Sequence, residues 1–262
     1  MQNNKVIATI EARMGSTRLP AKVLKPLAGE PMLQRIVERA KLSKYIERIV
    51  IATTIKPVDD EIIKLAKKLG LDFFRGSEDD VLKRLSEAIK EYKTEVVVCL
   101  TGDNPLIDPV MIDDMLDFFF DGGFDYVAST HMHHSPLWAA ERTFPVGVSV
   151  QVVKAKTLLE IDEGISEPAI REHGTFGIYH RSDNKYKLGA FQAEEEYKEW
   201  RQPNLRFTVD THEDYELMSR IYEKLYFVDP KFSTLEAIRL VLNRPELRAI
   251  NAAVIQRIAS PK

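Results

Sequence analysis

Short apolar runs alternate with amphipathic stretches through the first half of the chain. The apolar runs are bounded by Gly, Ser or Pro, as buried strands are, and the stretches between them repeat apolar residues at helical spacing. The predicted strands are residues 5–10, 49–52, 72–75 and 95–100. Strands that alternate with helices favour a mostly parallel central sheet, flanked by helices and joined by right-handed crossovers.

The predicted helices between these strands have recognisable ends. Pro31 suits a first helical turn, and Gly70 stands where a C-cap glycine belongs. Ser77 with Asp80 predicts an acidic capping box that opens the third helix. The four apolar stripes begin at Leu33, Ile62, Val81 and Val110.

The pattern becomes mixed after the Gly pair at 122–123. A polar loop is predicted from residue 130 to about 142, and capping boxes at Thr211 and Ser233 open the last helices. Strands are predicted at 126–129, at 146–152 from its period of two, at 186–192 and at 205–209. No linker is long enough to separate two domains, so we predict one domain, 1–262, with an inserted lobe.

Composition narrows the classes of function. A chain of 262 residues that is 44% hydrophobic can bury a sizeable core. The net charge of -3, from 37 basic and 40 acidic residues, argues against a nucleic-acid partner but leaves room for a local basic pocket. The lone Cys99 excludes an intramolecular disulfide and fits a reducing compartment; its apolar run predicts a buried thiol.

Membrane association is not expected from this sequence. No apolar run approaches the ~20 residues that a membrane-spanning helix needs. The first residues also lack the apolar core of a signal peptide. We therefore expect a soluble, cytoplasmic protein.

A cationic loop at residues 12–22 follows the first predicted strand and carries Arg13, Arg18 and Lys22. It has neither Walker A nor G-x-G-x-x-G spacing, and with one Gly it cannot rely on backbone amides alone. Arg suits bidentate contacts with phosphate, and Lys supplies a compact charge, so the loop could hold a polyphosphate. The alternative is a solvated surface loop.

Two acids stand at the ends of predicted strands. Asp103 follows the central strand, and Asp210 follows the strand that ends at Val209. Both could bind Mg²⁺, which takes carboxylate and phosphate oxygens. Asp103 could instead be a turn residue, and Asp210 a charge at a helix N-terminus. Because ligands bind beyond the carboxyl ends of parallel strands, the acids and the cationic loop together suggest metal-assisted substitution at phosphorus.

Two polar clusters allow weaker hypotheses. The segment Arg171-Glu172-His173 could reach an acidic acceptor, or it could be a polar turn. The three histidines of the polar loop have no further ligands at a spacing that zinc would need; they are His131, His133 and His134.

These motifs resemble a known family. Residues 12–24 are similar to the N-terminal signature of the cytidylyltransferases that activate acidic sugars, and most similar to the spore coat polysaccharide biosynthesis protein F group. The similarity continues in the same order along most of the chain, at residues 74–82, 101–109, 172–173 and 208–211.

The resemblance implies a Rossmann-like α/β nucleotidyltransferase fold that uses CTP, Mg²⁺ and a small anionic sugar-like acceptor. Members usually form homodimers in which one subunit helps to close the other's acceptor site. The implied parts are a nucleotide-binding half (1–125), a mixed α/β lobe for acceptor binding and dimerisation (126–204), and a return strand with C-terminal helices (205–262).

The resemblance also implies roles for individual residues. Asp103 and Asp210 would hold the metal and, with Arg13 and Lys22, form the catalytic set. The acceptor would contact Arg142, Arg171 and His173. The nucleotide would contact Ala12, Arg13, Ser16, Arg18, Lys22, Thr53, Arg75, Ser77 and Asp80, of which the last four lie near the base or ribose.

One segment departs from the family pattern. Three carboxylates expected after Pro145 are replaced by Val146, Ser149 and Gln151. Nucleotide binding is unaffected by this departure, whereas the acceptor is left open. Three hypotheses follow: a cytidylyltransferase, a transferase that uses another nucleoside triphosphate on a sugar 1-phosphate, and a nucleotide-binding homologue without turnover.

Overall fold

Strands and helices alternate as the first half of the sequence predicts. The computed structural model describes residues 5–129, 142–180 and 185–256. The strands are β1 (Val6–Glu11), β2 (Pro26–Leu27), β3 (Glu30–Pro31), β4 (Arg48–Thr54), β5 (Asp72–Gly76), β6 (Val96–Thr101), β7 (Tyr126–Ala128), β8 (Gln151–Lys154) and β9 (Leu188–Ala190). The α-helices are α1 (Met32–Ala40), α2 (Asp60–Lys68), α3 (Val81–Tyr92), α4 (Pro109–Gly122), α5 (Ala155–Gly164), α6 (Pro168–Arg171), α7 (Phe176–His180), α8 (His212–Leu225), α9 (Thr234–Leu242) and α10 (Pro245–Ala249).

Within the described residues, seven strands form one sheet in the order β5-β4-β1-β6-β8-β7-β9. The first four are parallel to one another. β8 is antiparallel to both β6 and β7, and β7 is parallel to β9. The mostly parallel sheet of the predicted α/β fold is confirmed, with β6 in the middle.

The strand order reverses between β1 and β6. From β1 the chain moves outward through β4 to β5, and then returns to the other side of β1 as β6. The register pairs Glu11 with Thr101 at the carboxyl ends of these two strands. A crevice at such a reversal is the usual ligand site of an open α/β sheet.

Side chains of β1 alternate between two hydrophobic cores. Ala8 and Ile10 pack in the core that also contains residues of α1 and α8. Ile7 points to the opposite face, where residues of α3 and α5 pack against the sheet. Burying β1 on both faces fixes its register, because a slip of one residue would exchange the two faces.

Local signals place most helix ends. The capping boxes of Thr211 and Ser233 are present, and Gly70 has a φ of 63° just after α2. The predicted capping box of Ser77 is wrong, because α3 begins at Val81 and Asp80 is its N-cap. The Ser77 hydroxyl instead accepts a hydrogen bond from the Asp80 amide at 3.0 Å.

Two predicted strands are wrong in extent. Of the segment 146–152 only its last two residues belong to β8, and the segment 205–209 contributes one isolated bridge between Val146 and Arg206. The cause is Gly147, whose φ is 92° and whose added Cβ would lie 2.2 Å from the Thr208 amide nitrogen. At that point the two segments of the backbone approach too closely, and Gly147 has a positive φ, so a continuous strand ladder does not form.

Some predictions are not decided by this fold. The three histidines of the polar loop, His131, His133 and His134, lie outside the described residues. The single domain of residues 1–262 and its division into two halves and a return segment stay predictions. Among the described helices, none has the length and hydrophobicity to cross a membrane.

Candidate active site

The cationic loop after β1 is folded back on itself. The Met14 carbonyl accepts hydrogen bonds from the amides of Ser16 and Ala21, at 2.9 and 3.1 Å. Buried Asp59 accepts from the Met14 amide at 2.7 Å and from the Thr54 hydroxyl. The sequence analysis did not identify Asp59, which fixes the loop from the neighbouring strand end.

Lys22 bonds to both predicted metal-binding acids. Its Nζ donates to Asp103 Oδ2 and to Asp210 Oδ1, each at 2.9 Å. Arg18 Nη2 lies 3.1 Å from the same Asp210 oxygen. Residues far apart in the sequence therefore meet at the carboxyl ends of β1 and β6, as predicted.

Arg206, which the sequence analysis missed, orients Asp210 from behind. Its Nη2 lies 2.8 Å from Asp210 Oδ2, and its Nε lies 2.8 Å from Asp214 Oδ1. Asp214 also accepts from the amide of Asp210, and Asn251 donates to Asp214 at 2.9 Å. Because each buried charge has a partner, Asp210 is held in one orientation.

The network also sets the charge state of its members. Burial disfavours the charge on Lys22, but Asp103 and Asp210 outweigh it and raise the pKa of Lys22 above its ordinary value. Burial likewise opposes ionisation of Asp210, yet Lys22, Arg18 and Arg206 hold its pKa below the ordinary value. The ammonium and the Asp210 carboxylate therefore stay charged across the physiological range.

A cavity of about 450 Å³ opens over these groups, within the range of small-molecule sites. Its wall contains the predicted residues of the cationic loop, the two acids and one residue assigned to the acceptor. They are Ala12, Arg13, Ser16, Arg18, Lys22, Asp103, His173 and Asp210. The rest of its wall includes Glu11, Val81, Arg84 and Glu172, which the sequence analysis did not assign to the nucleotide.

A larger cavity of about 670 Å³ lies at the opposite end of the central strand β6, beside its first residue. Its wall is mostly apolar and includes Phe120, Phe124 and Leu159. The smaller cavity is the candidate active site, because it lies at the strand reversal and holds the bridged acids.

The four residues predicted near the base or ribose do not line the cavity. Arg75 donates to the carbonyls of Thr54 and Lys56, at 2.9 and 3.0 Å. Thr53 is buried within β4, and its hydroxyl has no partner among the described residues. Ser77 and Asp80 stabilise the turn before α3 and its first turn. These positions support the wall from behind.

Arg171 joins the second half of the chain to α3. It donates to Asp80 Oδ2 at 2.8 Å and to Asp162 Oδ1 at 2.6 Å. It also donates to the carbonyls of Asp162 and Ile165. These four hydrogen bonds leave the side chain little capacity for an acceptor, so the structure favours a structural role for Arg171.

The other two residues assigned to the acceptor differ in position. His173 lines the cavity, next to Glu172. Arg142 is not part of the cavity wall; burial and the nearby Arg206 cation lower the pKa of its guanidinium. Its Nε is buried and has no partner in the part of the chain that the structure describes.

Arg13 is the most exposed cation of the loop. Its side chain is 47% exposed and lies 3.5 Å from Glu78 Oε1. Lys56 contacts the same Glu78 carboxylate. Unlike Lys22, Arg13 is not fixed by buried partners, and it can turn toward a ligand at little cost.

The donor set can be tested for a magnesium ion. No group of three or more His, Cys, Asp or Glu side chains in the described ranges could hold a metal by itself. However, oxygens of Asp103 and Asp210 converge on one cation, the Lys22 ammonium. Mg²⁺ is commonly held by one or two carboxylates plus phosphates and water, so these residues fit it when a phosphate supplies further ligands.

The fold and the site define a nucleotidyltransferase of the α/β class. The cytidylyltransferase family matches residues 7–232 of this chain. The chain therefore belongs to the cytidylyltransferase family and is an enzyme of that family.

Three relatives show how far the similarity extends. The spore coat polysaccharide biosynthesis protein SpsF of Bacillus subtilis is 36% identical over 93% of this chain and 96% of its own length. A 3-deoxy-manno-octulosonate cytidylyltransferase of Trichlorobacter lovleyi is 34% identical over 44% of this chain and 45% of its own. The structure of a cytidylyltransferase from Leptospira borgpetersenii has a TM-score of 0.82 at 32% identity, covering 94% and 97% of the two chains.

Proposed function

We propose that this enzyme transfers CMP from CTP to a small anionic sugar-like acceptor, with release of pyrophosphate, in the synthesis of a cell-surface polysaccharide or glycoconjugate. The observation that carries the proposal is the pair of carboxylates, Asp103 after β6 and Asp210 before α8, joined by Lys22 beside a cationic loop. The names of the relatives support the nucleotide and the acceptor class.

The chain's own residues can perform the nucleotide half of this reaction. The acceptor oxygen would attack the α-phosphorus of CTP in line with the leaving pyrophosphate. Arg13, Arg18 and Lys22 line the cavity and would neutralise the charge that develops on the leaving group. Because Lys22 is held by two carboxylates, its ammonium is in place before the substrate arrives.

Asp103 and Asp210 would hold Mg²⁺, which we propose as the cofactor. When bound, the ion would polarise phosphate oxygens and offset negative charge on the leaving group. Arg206 would keep Asp210 oriented, and the Thr101 hydroxyl, 2.6 Å from Asp103 Oδ1, would orient Asp103.

The decisive experiment measures pyrophosphate release with CTP, Mg²⁺ and a panel of sugar acids, sugars and sugar phosphates. We expect release with at least one acceptor, and its loss in Asp103→Ala. Near-wild-type release by Asp103→Ala would overturn the metal assignment. Parallel assays with ATP, GTP and UTP test the alternative nucleotides, and no release with any pair would leave a nucleotide-binding homologue.

The homodimer and the cytoplasmic location are proposals that the family resemblance supports. Light scattering after size-exclusion chromatography tests the first; a monomer at assay concentration would contradict it. Fractionation of the source cells tests the second.

A further inference from the structure

The cavity wall also contains a buried guanidinium with unfilled donors. Arg84 lies on α3 and is 3% exposed, yet it lines the cavity. Its Nη1 donates to the Ser77 carbonyl at 2.5 Å. Its Nε is buried with no partner among the described residues, and its Nη2 reaches only to 3.9 Å from Glu11 Oε2. Nη2, which is not sealed from the cavity as Nε is, is therefore the donor with capacity left for a ligand.

A carboxyl group with unfilled capacity lies beside this guanidinium. Glu11 ends β1 and lines the same cavity, with its side chain 22% exposed. No described residue donates a hydrogen bond to its carboxyl oxygens, and Arg84 at 3.9 Å is too far for one. An added Cβ at Gly174 would lie 3.8 Å from Glu11 Oε1, so the turn after α6 covers the carboxyl group.

The surroundings of Glu11 destabilise its charge. Burial raises the pKa of the Glu11 carboxyl to about 7; Asp103 adds to this effect, while Arg84 and Arg13 oppose it. A ligand that donates a hydrogen bond to this carboxylate would offset the free-energy cost of ionising it in a buried position.

Glu11 and Arg84 present a hydrogen-bond acceptor and a hydrogen-bond donor side by side. The pairing edge of cytosine offers the reverse: the exocyclic amine donates, and the adjacent ring nitrogen and carbonyl accept. Carboxylates accept from this amine in nucleic-acid recognition. Uracil has the same size, but a carbonyl replaces the amine and its ring nitrogen carries a proton. Val81 adds an apolar side chain to the same wall.

We propose that Glu11 and Arg84 read the pyrimidine base, with the Glu11 carboxylate accepting from the cytosine amine and Arg84 donating to the adjacent acceptors. This inference rests on the proposed function, because it assumes that a nucleoside triphosphate occupies the cavity. It assigns base selection to two residues other than the four expected from the sequence. It also states a selectivity, CTP over UTP, and its cause.

The test is titration calorimetry of the wild type, Glu11→Gln and Glu11→Asp with CTP and with UTP in Mg²⁺ buffer. The wild type should bind CTP more tightly than UTP. In Glu11→Gln the preference should fall about 10-fold or more, because an amide can donate to the uracil carbonyl. Glu11→Asp should keep the direction of the preference, since it retains the carboxylate.

Two further measurements separate base reading from a folding defect. The control Glu199→Gln, whose carboxylate is 52% exposed and pairs with Arg239, should leave the preference unchanged. N4,N4-dimethyl-CTP, which lacks the amine protons, should bind the unmodified enzyme about 10-fold or more weakly than CTP. This second arm needs no variant to fold.

The outcomes distinguish the inference from the function it rests on. If the wild type binds CTP but Glu11→Gln keeps its preference, or dimethyl-CTP binds as CTP does, base reading by Glu11 is wrong and the proposed function stands. Equal affinity of the wild type for CTP and UTP would also overturn the inference alone. No binding of any nucleotide would overturn both.

Discussion

The two walls of the cavity differ in how completely their charges are satisfied. In one wall, Lys22 donates short hydrogen bonds to both Asp103 and Asp210. In the wall formed by Arg84 and Glu11, Arg84 Nη2 and Glu11 Oε2 lie 3.9 Å apart, and both side chains have hydrogen-bonding capacity left over. The side chains of the first wall are held in place by one another, whereas those of the second have hydrogen-bonding groups free for a ligand. The two walls therefore differ in how fully their hydrogen-bonding groups are paired within the protein.

The largest expected effect is on the wall formed by Lys22, Asp103 and Asp210. Lys22→Met should lower nucleotide-dependent pyrophosphate release about 100- to 1,000-fold, because it removes a fixed charge at the leaving group. Steady-state assays with the active acceptor measure this loss. Lys64→Met is the matched control, since the Lys64 side chain is 71% exposed. A loss of less than fivefold in Lys22→Met would mean that the ammonium has no role in the reaction.

The next effect tests the backbone contact that brings Asp210 to this wall. Gly147→Ala should destabilise the protein by about 3 kcal/mol, because the new Cβ would lie 2.2 Å from the Thr208 nitrogen and the residue would keep a φ of 92°. Urea unfolding measures the change. Gly29→Ala has a similarly positive φ of 87° but open space around it, and should cost less. Equal losses would show that strain, and not the close approach, dominates.

A somewhat smaller effect is expected at the contact between the second half of the chain and α3. Arg171→Met should cost about 2 to 3 kcal/mol of unfolding free energy, because it leaves Asp80 and Asp162 without their shared cation. Urea unfolding of Arg239→Met, whose ion pair is exposed, provides the control at less than about 1 kcal/mol.

The same variant separates two roles for Arg171. A structural role predicts lower stability with CTP affinity nearly retained once the protein is folded at low temperature. Direct contact with the acceptor predicts an unchanged unfolding free energy and a raised KM for the acceptor, and this result would contradict the structural role.

The smallest expected effect concerns Glu11, in the wall that it forms with Arg84. The folded-state pKa of Glu11 is about 7, above its ordinary value of 4.5, so its ionisation lowers stability as pH rises from 4.5 to 7. Glu11→Gln should therefore gain about 2 kcal/mol over the wild type at pH 8 and almost nothing at pH 4. Thermal unfolding at both pH values measures this difference. A gain that does not change with pH would contradict the raised pKa.

The sequence allowed one wall to be predicted better than the other, for a physical reason. Parallel strands converge at their carboxyl ends, so Asp103 could be placed beside the cationic loop that carries Lys22. Asp210 also lies there, although the strand predicted before it is reduced to one isolated bridge. The roles of Arg75 and Asp80 could not be predicted, because they depend on which neighbouring group each side chain reaches. Asp80 caps α3, and Arg75 donates to two carbonyls.

The residues that were missed left signals in the sequence. Glu11 is an acid at a strand end, the same criterion that selected Asp103. Arg84 follows Val81 by three positions and thus lies on the buried stripe of its helix, where a cation is unusual. Asp214 was visible only as the third helical residue of the Thr211 capping box, and Arg206 left no comparable signal, because its role depends on the two acids that its side chain reaches.

The contact between Lys22 and Asp210 spans 188 positions of the chain. Bringing such distant residues together costs loop-closure entropy, which the contacts of the folded chain offset. A nascent chain whose segment around Val209 has not yet docked on Asp103 has its cationic loop but only one of its two acids. The pair of acids beside Lys22 is therefore complete only in a chain whose segment around Val209 has packed against Asp103.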